Sequence, residues 1–125
     1  MCGKIKIAVT GFLLGIAPSS PALAEGNVQG LLESCISTTA PDGPPYCVGR
    51  VTGIFKIMAL NGIAVTQHDG GAKFLAICAK DSLPLPSYAA QVQVFINWAN
   101  KHPENWAMSD SEGVIRAMQE KWPCQ

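Results

Sequence analysis

Cys35, Cys47, Cys78 and Cys124 restrict the folds open to this chain more than any other feature, because they follow a segment built like a secretory leader. Lys4 and Lys6 stand near the start, an apolar run extends from Ile7 to Ala17, and small residues lead to Ala22-Leu23-Ala24. Cleavage after Ala24 is expected, with Glu25 as the new first residue. Residues 1–24 are thus read as a signal peptide and 25–125 as one domain, with the Pro-rich stretches at 41–45 and 83–86 as connectors inside it. An exported chain meets an oxidising compartment, so an even set of four cysteines reads as two disulfides, for which three pairings are open. Removing 24 of 125 residues leaves 101, a lean size for one hydrophobic core, and covalent bridges make up part of the deficit.

Charge narrows the partners. Of the 9 basic and 9 acidic residues, the leader takes Lys4 and Lys6 with it, leaving the remainder mildly acidic and without a basic stripe. Nucleic acid is therefore not an expected partner. The leader's apolar run is shorter than the roughly 20 residues that cross a bilayer, and no later segment is read as an anchor. Cys2 lacks the preceding residues of a lipoprotein signal and is expected to leave with the leader. The periplasm is the expected location.

The apolar spacing describes an all-α bundle of about four helices. Asn27 can cap a helix over 27–36, with Val28, Leu31, Leu32 and Cys35 on one stripe. After Asp42-Gly43-Pro44-Pro45 a second helix is expected over 45–61, with Val51, Ile54, Phe55 and Met58 inward and Asn61-Gly62 as its left-handed end. Gly49 and Gly53, one turn apart inside it, each cost about 1 kcal/mol relative to Ala; a close helix crossing would offset that, with two tolerated glycines as the plainer alternative. The apolar runs 63–67 and 74–79, around His68-Asp69-Gly70-Gly71, read as a β-hairpin or an ordered loop within 63–79. Ser87 can cap a third helix carrying Tyr88, Val92, Phe95, Trp98 or Ala99, and His102, ended by Pro103. Ser109 and Glu112 form a capping-box pattern before a last helix with Val114, Ile115, Met118 and Trp122 inward, stopped by Pro123.

Little in this chain suits catalysis. The cysteines are 12, 31 and 46 residues apart, so none forms a two-residue redox pair. His68 and His102 have no second ligand at helical spacing, and no metal or other cofactor is expected. No Gly-x-Ser-x-Gly elbow occurs, and carboxylate pairs such as Glu104 with Glu112 are more simply solvated surface. Trp98 and Trp122 are expected inside, whereas Trp106 is a candidate partner anchor.

Cys47-Val48-Gly49-x-x-x-Gly53, Ile77-Cys78 followed by Pro84, His102-Pro103-Glu104 and the terminal Trp122-Pro123-Cys124 occur here in one order. In that arrangement the chain resembles the Rap/Tai family of type VI secretion immunity proteins, from about Leu31 to its end. The resemblance implies a compact all-helical periplasmic protein that binds a peptidoglycan amidase toxin, blocks its active site and catalyses nothing itself. A homodimer would suit the family. The competing class is a small disulfide-bonded acid-stress chaperone or another envelope binding protein, although the mature chain lacks the dense charge expected of a conditionally disordered one. The helix order favours Cys35 with Cys47, joining the first two helices, and Cys78 with Cys124, tying the last helix back. Gln67, His68, Asp69 and Lys73 around the Gly-Gly tip are the candidate partner-binding groups, with an ordinary surface turn as the plain alternative.

Overall fold

A computed structural model describes residues 26–38, 43–67, 70–78 and 84–124. The leader and its cleavage point, with His68 and Asp69, lie outside the described residues. Four helices form, α1 (Val28–Ile36), α2 (Gly43–Gln67), α3 (Tyr88–Lys101) and α4 (Asp110–Lys121), with short 3-10 turns at Lys73–Leu75 and Pro103–Asn105. No strand is present among the described residues, only an isolated bridge between Asn27 and Ser109. The expected all-α bundle is the observed one.

Local chemistry starts three of the helices where the sequence indicates. The Asn27 side chain accepts from the Gly30 amide at 2.8 Å, Ser87 from Ala90 at 3.2 Å and Ser109 from Glu112 at 3.3 Å, each satisfying a donor that the helix leaves free. The capping box at Ser109 is half-made, because the Glu112 carboxylate turns to Arg116 at 2.7 Å. Both disulfides have the expected partners, Cys35 with Cys47 and Cys78 with Cys124.

The core gathers Leu31, Val51, Phe55, Met58, Phe95, Trp98, Val114 and Met118 from all four helices. Burial corrects the expected stripes at several points. Tyr88 is exposed while Gln91 is buried, its amide donating to the Pro86 carbonyl at 2.8 Å. Trp122 is half-buried and stands edge-on to Phe55, with ring centres 5.4 Å apart. Among the described residues one charged group is fully inside: Asp110 receives Arg50 through two nitrogens, at 2.7 and 3.2 Å, and this pair joins α2 to α4.

The close crossing expected at Gly49 and Gly53 is not there, since a Cβ on either would meet nothing within 4 Å. Close approach occurs at two other glycines. A Cβ at Gly113 would fall 2.3 Å from a Val28 methyl, where α4 meets α1, and one at Gly62 would fall 1.8 Å from the Ile77 carbonyl oxygen. Gly62 therefore does not end a helix. It lets the returning chain lie against α2, which runs on to Gln67, six residues past the expected end and through the first of the two apolar runs read as a hairpin or ordered loop. Residues 70–78 return as ordered loop and 3-10 turn, the second of the two readings of that stretch.

Extended in this way, Pro44–Gln67 is long and apolar enough to cross a membrane by length and composition, which the shorter expected helix concealed. In this fold it is the bundle's central element. Cys47, Val51, Phe55 and Met58 are buried against its neighbours, and Arg50 pairs with Asp110.

Candidate protein-binding surface

Beyond Gln67 the chain turns back along α2. Gly71 adopts φ +95°, a left-handed conformation that favours glycine, and Asn61 Oδ1 accepts from the Ala72 amide at 3.4 Å. A Cβ at Gly71 would also crowd Ala64 and Val65 of α2. The Gly-Gly segment is thus fitted to the helix. Gln67 and Lys73 are exposed, as the candidate binding groups should be, and between them His68 and Asp69 lie outside the described residues.

Next to Lys73 stands a residue that pattern reading missed. Phe74 is 73% exposed, while its carbonyl is anchored by the Gln119 side chain of α4 at 2.8 Å. A fixed backbone carrying a solvated ring is a poor arrangement for stability and a suitable one for a partner pocket. The signal available was only that Phe74 begins an apolar run, read as one arm of a β-hairpin or as ordered loop.

A groove runs along another side of α2. It encloses about 580 Å³ between Lys56, Ala59, Leu60, Ile63 and Thr66 of the helix and a wall formed by Ile77, Cys78 and Leu85. The wall is held firmly. The Ile77 amide donates to the Met58 carbonyl at 3.2 Å, the Cys78 amide to the Trp122 carbonyl at 3.0 Å, and Cys78 is bonded to Cys124. Leu60, Ile63 and Leu85 remain more than half exposed, so the groove is apolar and open. Lys56 is the one ionic side chain in its described lining, with its ammonium 5.7 Å from the centre of the Tyr88 ring. Residues 79–83, between Cys78 and Pro84, lie outside the described residues.

Of the remaining singled-out residues, His102, Pro103 and Trp106 lie at the corner between α3 and α4, while Trp122 and Pro123 follow α4 beside the Cys78–Cys124 bridge. Trp106 is half-buried, and its indole N–H donates to the Ala99 carbonyl at 2.8 Å, so that polar group is occupied inside the molecule. His102 caps α3, lies against Trp98 with ring centres 5.0 Å apart, and shares a hydrogen with Glu104 at 2.9 Å. That hydrogen bond, helped by the Glu104 backbone amide, holds the Glu104 carboxyl below the usual carboxylate range. Glu120 approaches the other ring nitrogen at 3.7 Å. Pro103 opens the 3-10 turn, and Pro123 follows the last helix, just before Cys124. This corner is structural. The candidate loop and the groove both belong to the far half of α2, whereas Trp106 belongs to the corner.

Among the described residues, no group of three or more His, Cys, Asp or Glu side chains is placed to hold a metal ion. A family model described as Rap1a immunity proteins matches residues 8–124. No curated protein and no solved structure matches the chain.

Proposed function

The chain belongs to the Rap1a immunity protein family, and from that premise we propose that it binds and neutralises a type VI secretion effector, a peptidoglycan amidase. The proposal includes export to the periplasm after removal of residues 1–24 and the absence of any catalysis by the protein itself. The family match over residues 8–124 carries the reading. Two disulfides support it from the side of compartment, because such bonds persist outside the reducing cytoplasm. The surface supports it from the side of recognition: Phe74, Leu60 and Ile63 are large apolar groups left in water on a rigid helical scaffold.

Neutralisation by occupation of the amidase cleft needs only shape and contact. Gln67, Lys73 and Phe74 are exposed and suited to contact with a cleft, with Phe74 as the apolar anchor and His68 and Asp69 as further candidate groups. A homodimer is compatible with the reading. The test is co-purification of the oxidised protein with an amidase encoded beside its gene, using the wild-type chain, a form with the 67–73 turn shortened, and Phe74→Ala. Capture by wild type and loss in both variants is the expected result. Capture undiminished by either change removes the turn from the interface, and failure of wild type to bind any neighbouring cell-wall hydrolase removes the immunity reading.

A further inference from the structure

Resting on that reading, the groove between α2 and the Ile77–Cys78 wall gives the effector a second point of attachment. We propose that it docks an amphipathic helix of the effector, apolar along its length and acidic at the end that meets Lys56. The Ile77–Cys78 side of the groove is preformed, because two backbone hydrogen bonds and a disulfide fix it, so little ordering cost would fall there on binding. From Lys56 to Gln67 it extends about 17 Å at the helical rise of 1.5 Å per residue, which matches about three turns of a partner helix.

Charge selects the occupant. Lys56 is the one ionic group in the described lining, and it has no acidic neighbour there. A two-fold pairing of this face with a second copy would set its described lining opposite itself, and in that lining Lys56 meets no anion. A foreign helix with an acidic end meets that cation while its apolar stripe covers Leu60, Ile63 and Leu85. At the other end Thr66 and Gln67 offer neutral polar contacts.

Fluorescence anisotropy with labelled, Leu-rich helical peptides of about three turns tests the inference, one peptide ending in two aspartates and the other in two lysines. The oxidised wild-type protein should bind the acidic-ended peptide at least about tenfold more tightly. Lys56→Glu should reverse that preference, and Ile63→Glu should abolish binding of both peptides while leaving the helical circular dichroism and the unfolding midpoint unchanged. Equal affinity for the two peptides, or binding indifferent to Ile63→Glu, overturns the proposal. So does sedimentation showing a wild-type dimer that Ile63→Glu dissociates, because a second copy would then fill the groove. An amidase arm separates this inference from the reading beneath it. If Ile63→Glu inhibits the neighbouring amidase as well as wild type does, the groove is not an effector site and immunity stands. If wild type inhibits no such amidase, immunity itself falls, and with it the effector as occupant.

Discussion

The two sides of α2 are made of the same kinds of residue and do opposite things. On the inner side Cys47, Val51, Phe55 and Met58 are at most 1% exposed, sealed by α1, α3 and α4. On the groove side Leu60 and Ile63 are 67% and 51% exposed. Nothing in the hydrophobicity of Met58 against Leu60 separates them. What separates them is which phase of the helix the other three helices cover. The inner side should answer to stability measurements, the groove side to binding.

The largest effect should come from the covalent support of the groove wall. Replacing Cys78 and Cys124 together by Ser releases a 46-residue loop and should cost about 4 kcal/mol, against about 3 for Cys35 with Cys47, whose loop spans 12. Denaturant unfolding of the two double variants checks the order. Next, Gly62→Ala drives a methyl into the backbone of Ile77, where no rotamer can relieve it, and should cost about 3 kcal/mol or more. A stability within 0.5 kcal/mol of wild type, as a rough limit for a neutral change, would contradict the close approach that builds this wall. Met58→Ala should cost about 3 kcal/mol through the cavity it leaves, whereas Leu60→Ala should stay within about 0.5. Similar losses for the pair would erase the distinction between the two sides.

Two smaller changes sharpen the comparison. Gly53 faces open space inside α2, so Gly53→Ala should raise stability by about 0.5 to 1 kcal/mol, opposite in sign to the same substitution nine residues on. Glu104, far from the groove, has a carboxyl held low by His102, and a group with a depressed folded pKa stabilises the fold above its unfolded pKa. That contribution is lost as pH falls through the folded value. Glu104→Gln should therefore flatten the acid limb of the stability curve slightly and leave peptide binding untouched; an unchanged acid limb would show the pair to be inert.

Features set by neighbours in sequence were legible beforehand. Asn27, Ser87 and Ser109 cap their helices because a side-chain oxygen needs only the next turn to find its donor, and the cysteine pairing followed from helix order. The misread features depend on distant chain. Asn61-Gly62 has the local form of a helix end, yet Gly62 is there because Ile77 returns against it. The one-turn spacing of Gly49 and Gly53 looks like a crossing, but no helix crosses at that point. Of the candidate surface, Gln67 and Lys73 were named for their polarity and are exposed, at the end of α2 and the start of the 3-10 turn. Phe74, Leu60 and Ile63 were not, because an apolar side chain reads as core until the packing shows that nothing covers it.

The central claim is neutralisation of a partner enzyme by contact alone, and it is tested most directly by titrating a peptidoglycan amidase encoded beside this gene with the oxidised mature protein while following hydrolysis of purified peptidoglycan. Hydrolysis should fall in proportion to added protein and stop near equivalence, with the protein recovered intact in a complex. Hydrolysis undiminished by an excess of folded, disulfide-bonded protein would contradict it.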